Sequence, residues 1–285
     1  MKKVYLIAIM AAALLAAGQA AQGTVLNSCA QWANYCSGNY CVYNDVWHPS
    51  GSWSQCIVAE SCTNWYVDAC HPGNGVKSYP NSSRINVNMS IGSLGSCLGN
   101  VSTSGPSSGD YCTAWDIWAP SEVMIWLNWR GAVSPWGSYV TSATIGGRDY
   151  DVYKDGYPGF LLKKKQVSDG IFDIKSILDY CVSRGWLNNS GNISKIQCGF
   201  EITGTGGSTL RYTMNSFSVF VSNNEWLYGD FTYDNKVDVN DLHEFCETWW
   251  LAGDCNDTIG VDLNGDCTIN FYEYAFFAQN WLGEL

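Results

Sequence analysis

The segment whose residues could most clearly carry out chemistry is 121–129, Ser-Glu-Val-Met-Ile-Trp-Leu-Asn-Trp. Aliphatic side chains alternate there with polar, sulfur-containing and aromatic ones. Period-two alternation predicts a strand with one face in a core, here made by Val123, Ile125 and Leu127. Glu122 would then point away from the core. A carboxylate framed by a thioether and an indole suits chemistry on sugars, whose apolar faces stack on aromatic rings. The residues predicted to share the face of Glu122 are Met124, Trp126 and Asn128.

A second carboxylate, Glu201, lies in residues 195–203, which also alternate. Four apolar side chains would enter the core from this strand, and Glu201 would lie on its other face. If both outer faces belong to one sheet, Glu122 and Glu201 can meet across a groove. The alternative is that either one is a solvated strand glutamate, and periodicity leaves that open. The predicted inward residues are Ile196, Cys198, Phe200 and Ile202.

Charge and hydropathy divide the chain of 285 residues into three parts. Residues 1–20 have the charged, apolar and small-residue sections of a signal peptide, which predicts secretion. The apolar run is shorter than a membrane span needs, so no membrane span is expected. The formal net charge of −11 lies entirely beyond residue 228, which predicts a larger domain over 21–226 and a small acidic one over 229–285. Neither part is basic, so no nucleic-acid partner is expected.

Thirteen cysteines in an exported chain predict disulfide bonds. Ten of them lie in the larger domain and could all pair there, although spacing alone does not fix the connectivity. A zinc site is disfavoured because no matching pair of Cys-x-x-Cys motifs occurs. Three cysteines remain in the tail, so one thiol there would be free or intermolecular. The local closures considered plausible are Cys62 with Cys70, Cys97 with Cys112, and Cys181 with Cys198.

Between residues 26 and 223, short alternating segments are separated by Gly, Ser, Asn and Pro. This pattern predicts an all-β sandwich or jelly roll. Residues 173–184 are the exception, since apolar residues recur there at helical spacing and Gly185 would end the helix. His48 and His71 would lie in loops and could contact sugar hydroxyls, but a lone loop histidine is more often solvated.

Six short motifs of the larger domain occur in the order typical of glycoside hydrolase family 12, which the chain resembles from residue 27 to 222. They are residues 29–32 (Cys-Ala-Gln-Trp), 44–47 (Asn-Asp-Val-Trp), 76–81 (Val-Lys-Ser-Tyr-Pro-Asn), 121–127, 134–138 (Ser-Pro-Trp-Gly-Ser) and 199–210. The resemblance implies a concanavalin-like β-jelly roll of two curved antiparallel sheets with one helix and an open cleft for a β-glucan chain.

By this resemblance the enzyme would be a retaining endo-β-1,4-glucanase of the cellulase type, with Glu122 as nucleophile, Glu201 as acid/base and Asp116 as a neighbour that tunes the nucleophile. Retention requires the two carboxyl groups to lie about 5 to 5.5 Å apart. Catalysis would need no cofactor, and the catalytic domain would be monomeric. Substrate would contact Trp47, Asp45, Met124, Trp126, Pro135 and Trp136.

The sequence leaves the choice of glucan open, because it departs from the family pattern around residues 44–48 and 66–71. A xyloglucanase or a mixed-linkage glucanase is the alternative within the class. A non-catalytic carbohydrate-binding sandwich is the alternative outside it, since the many tryptophans would suffice for binding.

The tail matches itself at an offset of 32 residues, and each copy is an acidic loop followed by an apolar helix. Each loop has oxygen-bearing side chains at positions 1, 3, 5, 9 and 12 and would offer a backbone carbonyl at position 7. This spacing matches that of the ligands in a calcium-binding loop. The pair resembles a dockerin, which implies two EF-hand-like loops, two Ca²⁺ ions and a cohesin-bearing scaffold protein as partner. The predicted ligands are Asp230, Thr232, Asp234, Lys236, Asp238 and Asp241 in one copy, and Asp262, Asn264, Asp266, Thr268, Asn270 and Glu273 in the other.

Overall fold

The structure, a computed structural model, describes residues 23–163, 166–223, 229–232, 236–249, 269–279 and 281–282. The predicted signal peptide therefore lies outside the described residues. The fifteen strands of the described part are β1 Leu26–Ser28, β2 Asn34–Ser37, β3 Tyr40–Tyr43, β4 Ser54–Ala59, β5 Trp65–Cys70, β6 Asn81–Ser90, β7 Ser96–Ser104, β8 Asp110–Trp118, β9 Glu122–Arg130, β10 Ser138–Ile145, β11 Arg148–Asp155, β12 Tyr157–Leu162, β13 Asp169–Asp173, β14 Asn192–Gly204 and β15 Leu210–Ser222. The helices are α1 Ile174–Ser183, α2 Val239–Thr248 and α3 Phe271–Gln279, and Ile91–Ser93 form a 3₁₀ turn.

The strands form two sheets, as the alternating pattern predicts. One has six strands in the order β1-β4-β5-β15-β7-β13, and the other has nine in the order β10-β11-β12-β9-β8-β14-β6-β3-β2. The prediction of purely antiparallel sheets is wrong at one place, because β12 pairs with β9 in parallel, with Gly159 opposite Met124. The reason is topological: β10, β11 and β12 form an antiparallel meander that starts at the sheet edge and returns to β9.

The core lies between the sheets and is rich in aromatic side chains. Trp115 from the nine-stranded sheet packs against Phe217 from the six-stranded sheet, with ring centroids 5.5 Å apart. The predicted helix is confirmed as α1, whose N-cap Asp173 accepts a hydrogen bond from the backbone N–H of Ser176. Gly185 adopts φ +68° just beyond it, the left-handed conformation that glycine tolerates at a helix end. The helix buries Ile174, Ile177, Leu178 and Cys181.

The cysteines pair differently from the closures considered plausible. The disulfides in the described part are Cys29–Cys56 and Cys36–Cys41, and the other six cysteines of the larger domain are thiols. Cys62 and Cys70 cannot meet because the extended strand β5 separates them. Cys97 enters the core whereas Cys112 lies on the outer face of the nine-stranded sheet. Cys181 and Cys198 both line the core but from α1 and β14, and α1 packs on β7, β10 and the 3₁₀ turn.

The tail forms helices where its two repeat copies predict them, at α2 and α3. Phe245 of α2 and Phe277 of α3 stack 5.8 Å apart, and Phe231 stacks on both. Val237 and Ile269, at equivalent positions of the two copies, are both fully buried. Among the described residues, the helices are too short or too polar to cross a bilayer.

Candidate active site

Glu122 and Glu201 both lie on the outer face of the nine-stranded sheet, as predicted. Strand β8 lies between their strands, with Glu122 opposite Trp118 and Glu201 opposite Cys112. Asp116 lies on the same face of β8, opposite Met124 on one side and Gln197 on the other. Because directly opposed residues of a sheet share a face, this register gathers the three carboxyl groups on one surface.

Small residues fill the part of this surface between the two glutamates. Ala114 of β8 pairs with Gly199 of β14, one step from Glu201 on the same face. A side chain at Gly199 would meet the carbonyl oxygen of Pro80, so this position requires glycine. The glycine therefore lets residues 80 and 81 approach β14 closely on the face that carries Glu201.

A β-bulge ends the predicted alternation of β9. The register shifts by one residue between the pair of Ala114 and Trp126 and the pair of Thr113 and Asn128. Asn128 consequently leaves the face of Glu122, accepts a hydrogen bond from Thr113 Oγ1 at 2.9 Å and donates one to the Val167 carbonyl at 2.9 Å. Trp129 takes its place beside Trp126, with ring centroids 6.1 Å apart.

The environment of Glu201 favours its protonated form. Burial raises the pKa of Glu201 to about 7, a hydrogen bond from the Cys112 thiol lowers it in part, and the charge of Glu122 raises it again. The thiol Sγ lies 3.3 Å from Oε2 of Glu201. A carboxyl group with a pKa near neutrality can deliver a proton and later take one back, as a general acid and base must.

Asp116 and Glu122 form a pair of interacting carboxyl groups. Burial raises the pKa of Asp116 well above its usual value, and the charge of Glu122 raises it further. Burial also raises the pKa of Glu122, while a hydrogen bond with Asp116 lowers it. Asp116 is only 5 % exposed and is the more deeply buried of the two. The shared proton is therefore favoured on Asp116, which leaves the charge on Glu122.

The contacts of Asp116 support this arrangement. The indole Nε1 of Trp118 donates to Oδ2 of Asp116 at 2.8 Å and to Oε1 of Gln197 at 2.7 Å. Oδ1 of Asp116 is buried without a donor among the described protein groups, so it is the oxygen left to carry a proton toward Glu122. Gln197 Nε2 in turn donates to Asn81 Oδ1 at 2.8 Å, and Lys195 Nζ lies 4.5 Å from the ring centroid of Trp118.

A tyrosine of β12 also approaches the carboxyl groups. The pKa of Tyr157 is raised by burial first and then by the charges of Glu122, Glu201 and Asp116. All three carboxyl groups therefore lie within electrostatic range of one hydroxyl. Trp136 stacks on Tyr157 at a centroid distance of 6.5 Å and an interplanar angle of 15°, with 61 % of its surface exposed.

The remaining predicted substrate residues divide into exposed and buried ones. Trp47 is 48 % exposed, and Pro135 lies half-buried beside Trp136. Met124 and Trp126 are only 5 % and 4 % exposed, so they form a packed floor rather than open platforms. Asp45 adopts φ +43° and lies 3.5 Å from the side-chain amide of Asn81, and burial raises its pKa.

His71 is buried, contrary to the expectation of a solvated loop histidine. Its Nε2 lies 2.8 Å from Gln55 Oε1, and its ring stacks on Trp53. Burial lowers the pKa of His71 to about 4, with a further contribution from the charge of Lys77. The imidazole is therefore neutral at ordinary pH and forms part of the protein interior.

Residues that the sequence reasoning missed include Cys112, Trp118, Gln197 and Tyr157. The first two lie four residues before and two residues after Asp116, so period-two alternation from Asp116 could have found them. Gln197 likewise lies four residues before Glu201 on β14. Tyr157 had no such signal, because it reaches the site through the parallel pairing of β12.

The tail brings together part of one predicted calcium loop. Asp230 and Asp241 are 3 % and 0 % exposed. Oδ1 of Asp241 accepts hydrogen bonds from the backbone N–H and the hydroxyl of Thr232, at 2.9 and 3.0 Å, and Oδ2 accepts one from the backbone N–H of Asp238 at 2.8 Å. Within the described residues, no group of three or more acidic, histidine or cysteine side chains is arranged to hold a metal ion.

The other predicted calcium ligands are less informative. Asp238 caps α2 by accepting a hydrogen bond from the backbone N–H of Asn240 at 2.7 Å. Lys236 is exposed, and Asn270 lies half-buried just before α3. The positions outside the described residues are Asp234, Asp262, Asn264, Asp266 and Thr268, together with the side chain of Glu273.

Comparisons with known proteins agree with the two-sheet fold. A xyloglucan-specific endo-beta-1,4-glucanase A of Emericella nidulans is 28 % identical over 227 residues, which cover 68 % of this chain and 90 % of that protein. An inactive glycoside hydrolase of Phytophthora nicotianae is 26 % identical over 246 residues, covering 77 % of this chain and all of that protein. Family resemblance alone thus does not establish activity.

Among solved structures, the xyloglucanase domain of a type three effector from Sinorhizobium fredii, in complex with cellobiose, superposes with a TM-score of 0.64. It is 25 % identical, and the match covers 70 % of this chain and 99 % of that one. Residues 27–222 match the family described as Glycosyl hydrolase family 12. This match spans the two sheets and both glutamates, and the chain therefore belongs to glycosyl hydrolase family 12.

Proposed function

We propose that this protein is a secreted endo-β-1,4-glucanase that cuts internal bonds of cellulose-type β-glucans with retention of configuration. The observation that carries the proposal is the difference between two glutamates on one sheet face. Glu201 is buried and has a pKa of about 7, whereas Glu122 faces a more deeply buried Asp116. Two carboxyl groups whose environments differ in this way match the acid and the nucleophile of a double displacement.

In the first step Glu122 attacks the anomeric carbon while Glu201 gives its proton to the leaving glycosidic oxygen. Asp116 keeps Glu122 ionised by holding the proton that the pair shares. In the second step Glu201, now a carboxylate, takes a proton from water, and that water releases the sugar from Glu122. These two steps need no cofactor.

Exposed aromatic rings on both sides of the carboxyl groups support binding of a polymer. Trp136 precedes β10 and stacks on Tyr157 of β12, whereas Trp47 follows β3, and these strands lie on opposite sides of β9, β8 and β14. Five strand spacings of about 4.8 Å separate β12 from β3, or about 24 Å. A chain of several sugars lying across the strands would contact both rings, which favours cleavage of internal bonds.

Secretion is supported by the two disulfides, which form in oxidising compartments. The proposal includes a signal peptide over residues 1–20, a catalytic domain over 21–226 and a small acidic domain over 229–285.

The backbone of xyloglucan is the second candidate substrate, because relatives such as the Emericella nidulans enzyme are named for it. We expect purified protein to release reducing ends from carboxymethylcellulose, mixed-linkage glucan or xyloglucan, with a rapid fall in viscosity that marks internal cleavage. The glucan with the highest kcat/KM identifies the substrate. A folded protein that binds these glucans in affinity electrophoresis but releases no reducing ends would show a non-catalytic binding sandwich instead.

We further propose that the tail is a dockerin-like module that binds two Ca²⁺ ions and attaches the enzyme to a cohesin-bearing scaffold. Support comes from the repeat in the sequence. It also comes from the contacts that bring Asp241, at position 12 of one loop, to Thr232 and Asp238, at positions 3 and 9. Calcium would neutralise the acidic loops and link their ends, while the residues outside the described part would complete both sites.

Isothermal titration of the full chain with Ca²⁺ should therefore give a stoichiometry of two, and Asp230→Ala and Asp262→Ala should each reduce it to one. Glu284→Gln, an acidic position outside the repeat, serves as the matched control and should still bind two ions. Absence of any binding, or a stoichiometry unchanged in both alanine variants, would exclude the calcium module.

A further inference from the structure

A cysteine lies directly beside the carboxyl group of Glu201. Cys112 occupies the position on β8 opposite Glu201 on β14, and its Sγ donates a hydrogen bond to Oε2 at 3.3 Å. Among the described residues, Cys112 is the one side chain that donates a hydrogen bond to the Glu201 carboxyl. The contact follows from the register of the sheet, so the backbone of both strands holds the two side chains together.

The surroundings of Cys112 fix it in this orientation and keep it protonated. The side chain is 1 % exposed and packs with Ala114, Met124, Trp126 and Leu161 on the outer face of the sheet. Burial, and then the charge of Glu201, raise the pKa of the thiol well above its usual value. Cys112 is therefore a permanent neutral donor at every pH at which the enzyme would work.

A thiol is a weak hydrogen-bond donor, and that weakness matters next to an acid. A strong donor would stabilise the carboxylate of Glu201 and lower its pKa, which would remove the proton needed for bond cleavage. A residue without a donor would leave Oε2 buried and the carboxyl free to rotate. The thiol orients the group while most of the elevated pKa remains.

We propose that Cys112 is a positioning residue for Glu201, whose S–H occupies Oε2 and thereby leaves Oε1 to exchange the proton with the glycosidic oxygen. This inference rests on the proposed role of Glu201 as acid/base. As the proton leaves Oε1 for the departing oxygen, negative charge develops on the carboxyl group. The hydrogen bond from Cys112 strengthens as this negative charge develops, because donors bind carboxylates more tightly than carboxylic acids.

The test compares Cys112→Ala, which removes the donor, with Cys112→Ser, which replaces it by a stronger one of similar size. Glu201 must be protonated to cleave, so activity falls as pH rises through its pKa. Loss of the donor raises that pKa and should move the basic limb of kcat/KM to higher pH in the alanine variant. The serine variant should move the limb to lower pH. We expect kcat of Cys112→Ala to fall about 3- to 10-fold at the optimum, with KM unchanged, because the thiol does not touch substrate.

A second readout does not depend on catalysis. The ¹³C chemical shift of the Glu201 carboxyl, assigned by its loss in Glu201→Gln, should titrate at higher pH in Cys112→Ala and at lower pH in Cys112→Ser than in the wild type. Cys97→Ala removes a different buried thiol, one that lines the core, and should leave both the limb and the titration in place. If wild-type protein hydrolysed no glucan, the proposed function would fail while the titration still tested the contact. Identical Glu201 titration in the wild type and both Cys112 variants, or shifts in the same direction, would overturn the inference.

Discussion

Replacing Glu122 by alanine is expected to lower kcat/KM on β-glucans by at least about 10⁴-fold, which corresponds to about 5 kcal/mol of transition-state stabilisation. The reason is that Glu122 would form the covalent bond to the anomeric carbon, and no neighbour can replace it. Asp116 is more deeply buried and holds the shared proton. Initial rates of reducing-end release, with circular dichroism to confirm an unchanged fold, provide the measurement.

Azide separates loss of the nucleophile from general damage to the site. In Glu122→Ala the removed side chain leaves space beside the anomeric carbon, so azide can attack an aryl cellobioside directly. The product should be the glycosyl azide of inverted, α configuration, which proton NMR identifies by its anomeric coupling. Asp179→Ala changes an exposed carboxylate of α1 that pairs with Lys175, and this control should keep wild-type rates. Recovery of a β-azide from Glu122→Ala would assign the nucleophile to another residue.

Alternation predicted much of the site because it depends only on the geometry of a strand. The aliphatic side of β9 and the inward residues of β14 are buried as expected, and Glu122 and Glu201 therefore lie outside the core. The same alternation, counted from Asp116 along β8, also places Cys112 and Trp118 on the face of Asp116. Local pattern was sufficient wherever the strand remained regular.

Prediction failed where structure depends on distant parts of the chain. The bulge that moves Asn128 to the other face is a property of the pairing between β8 and β9, and the sequence of β9 alone does not reveal it. Tyr157 comes to the site because β10 to β12 fold back beside β9. His71 is buried because Gln55 and Trp53 surround it. Cysteine pairing failed for the same reason, since strand order rather than spacing decides which thiols meet.

Replacing Glu201 by alanine should have an effect that depends on the leaving group. Natural glucans have a poor leaving group that needs protonation, so their rate should fall about 10²- to 10⁴-fold. In an aryl cellobioside with an acidic phenol, the phenolate leaves without needing a proton. Formation of the glycosyl-enzyme from this substrate should therefore be nearly unaffected. The second step, which needs Glu201 as base, then limits turnover, and a burst of phenol should precede a slow steady state.

The pH profile of the same variant provides an independent check. In the wild type, kcat/KM should fall as pH rises through about 7, because deprotonated Glu201 has no proton to give. In Glu201→Ala with the aryl substrate this basic limb should be absent. Azide should now attack the glycosyl-enzyme on Glu122 and give the β-glycosyl azide, the opposite stereochemistry from Glu122→Ala. A basic limb that persisted near pH 7 in the variant would mean that a group other than Glu201 produces it.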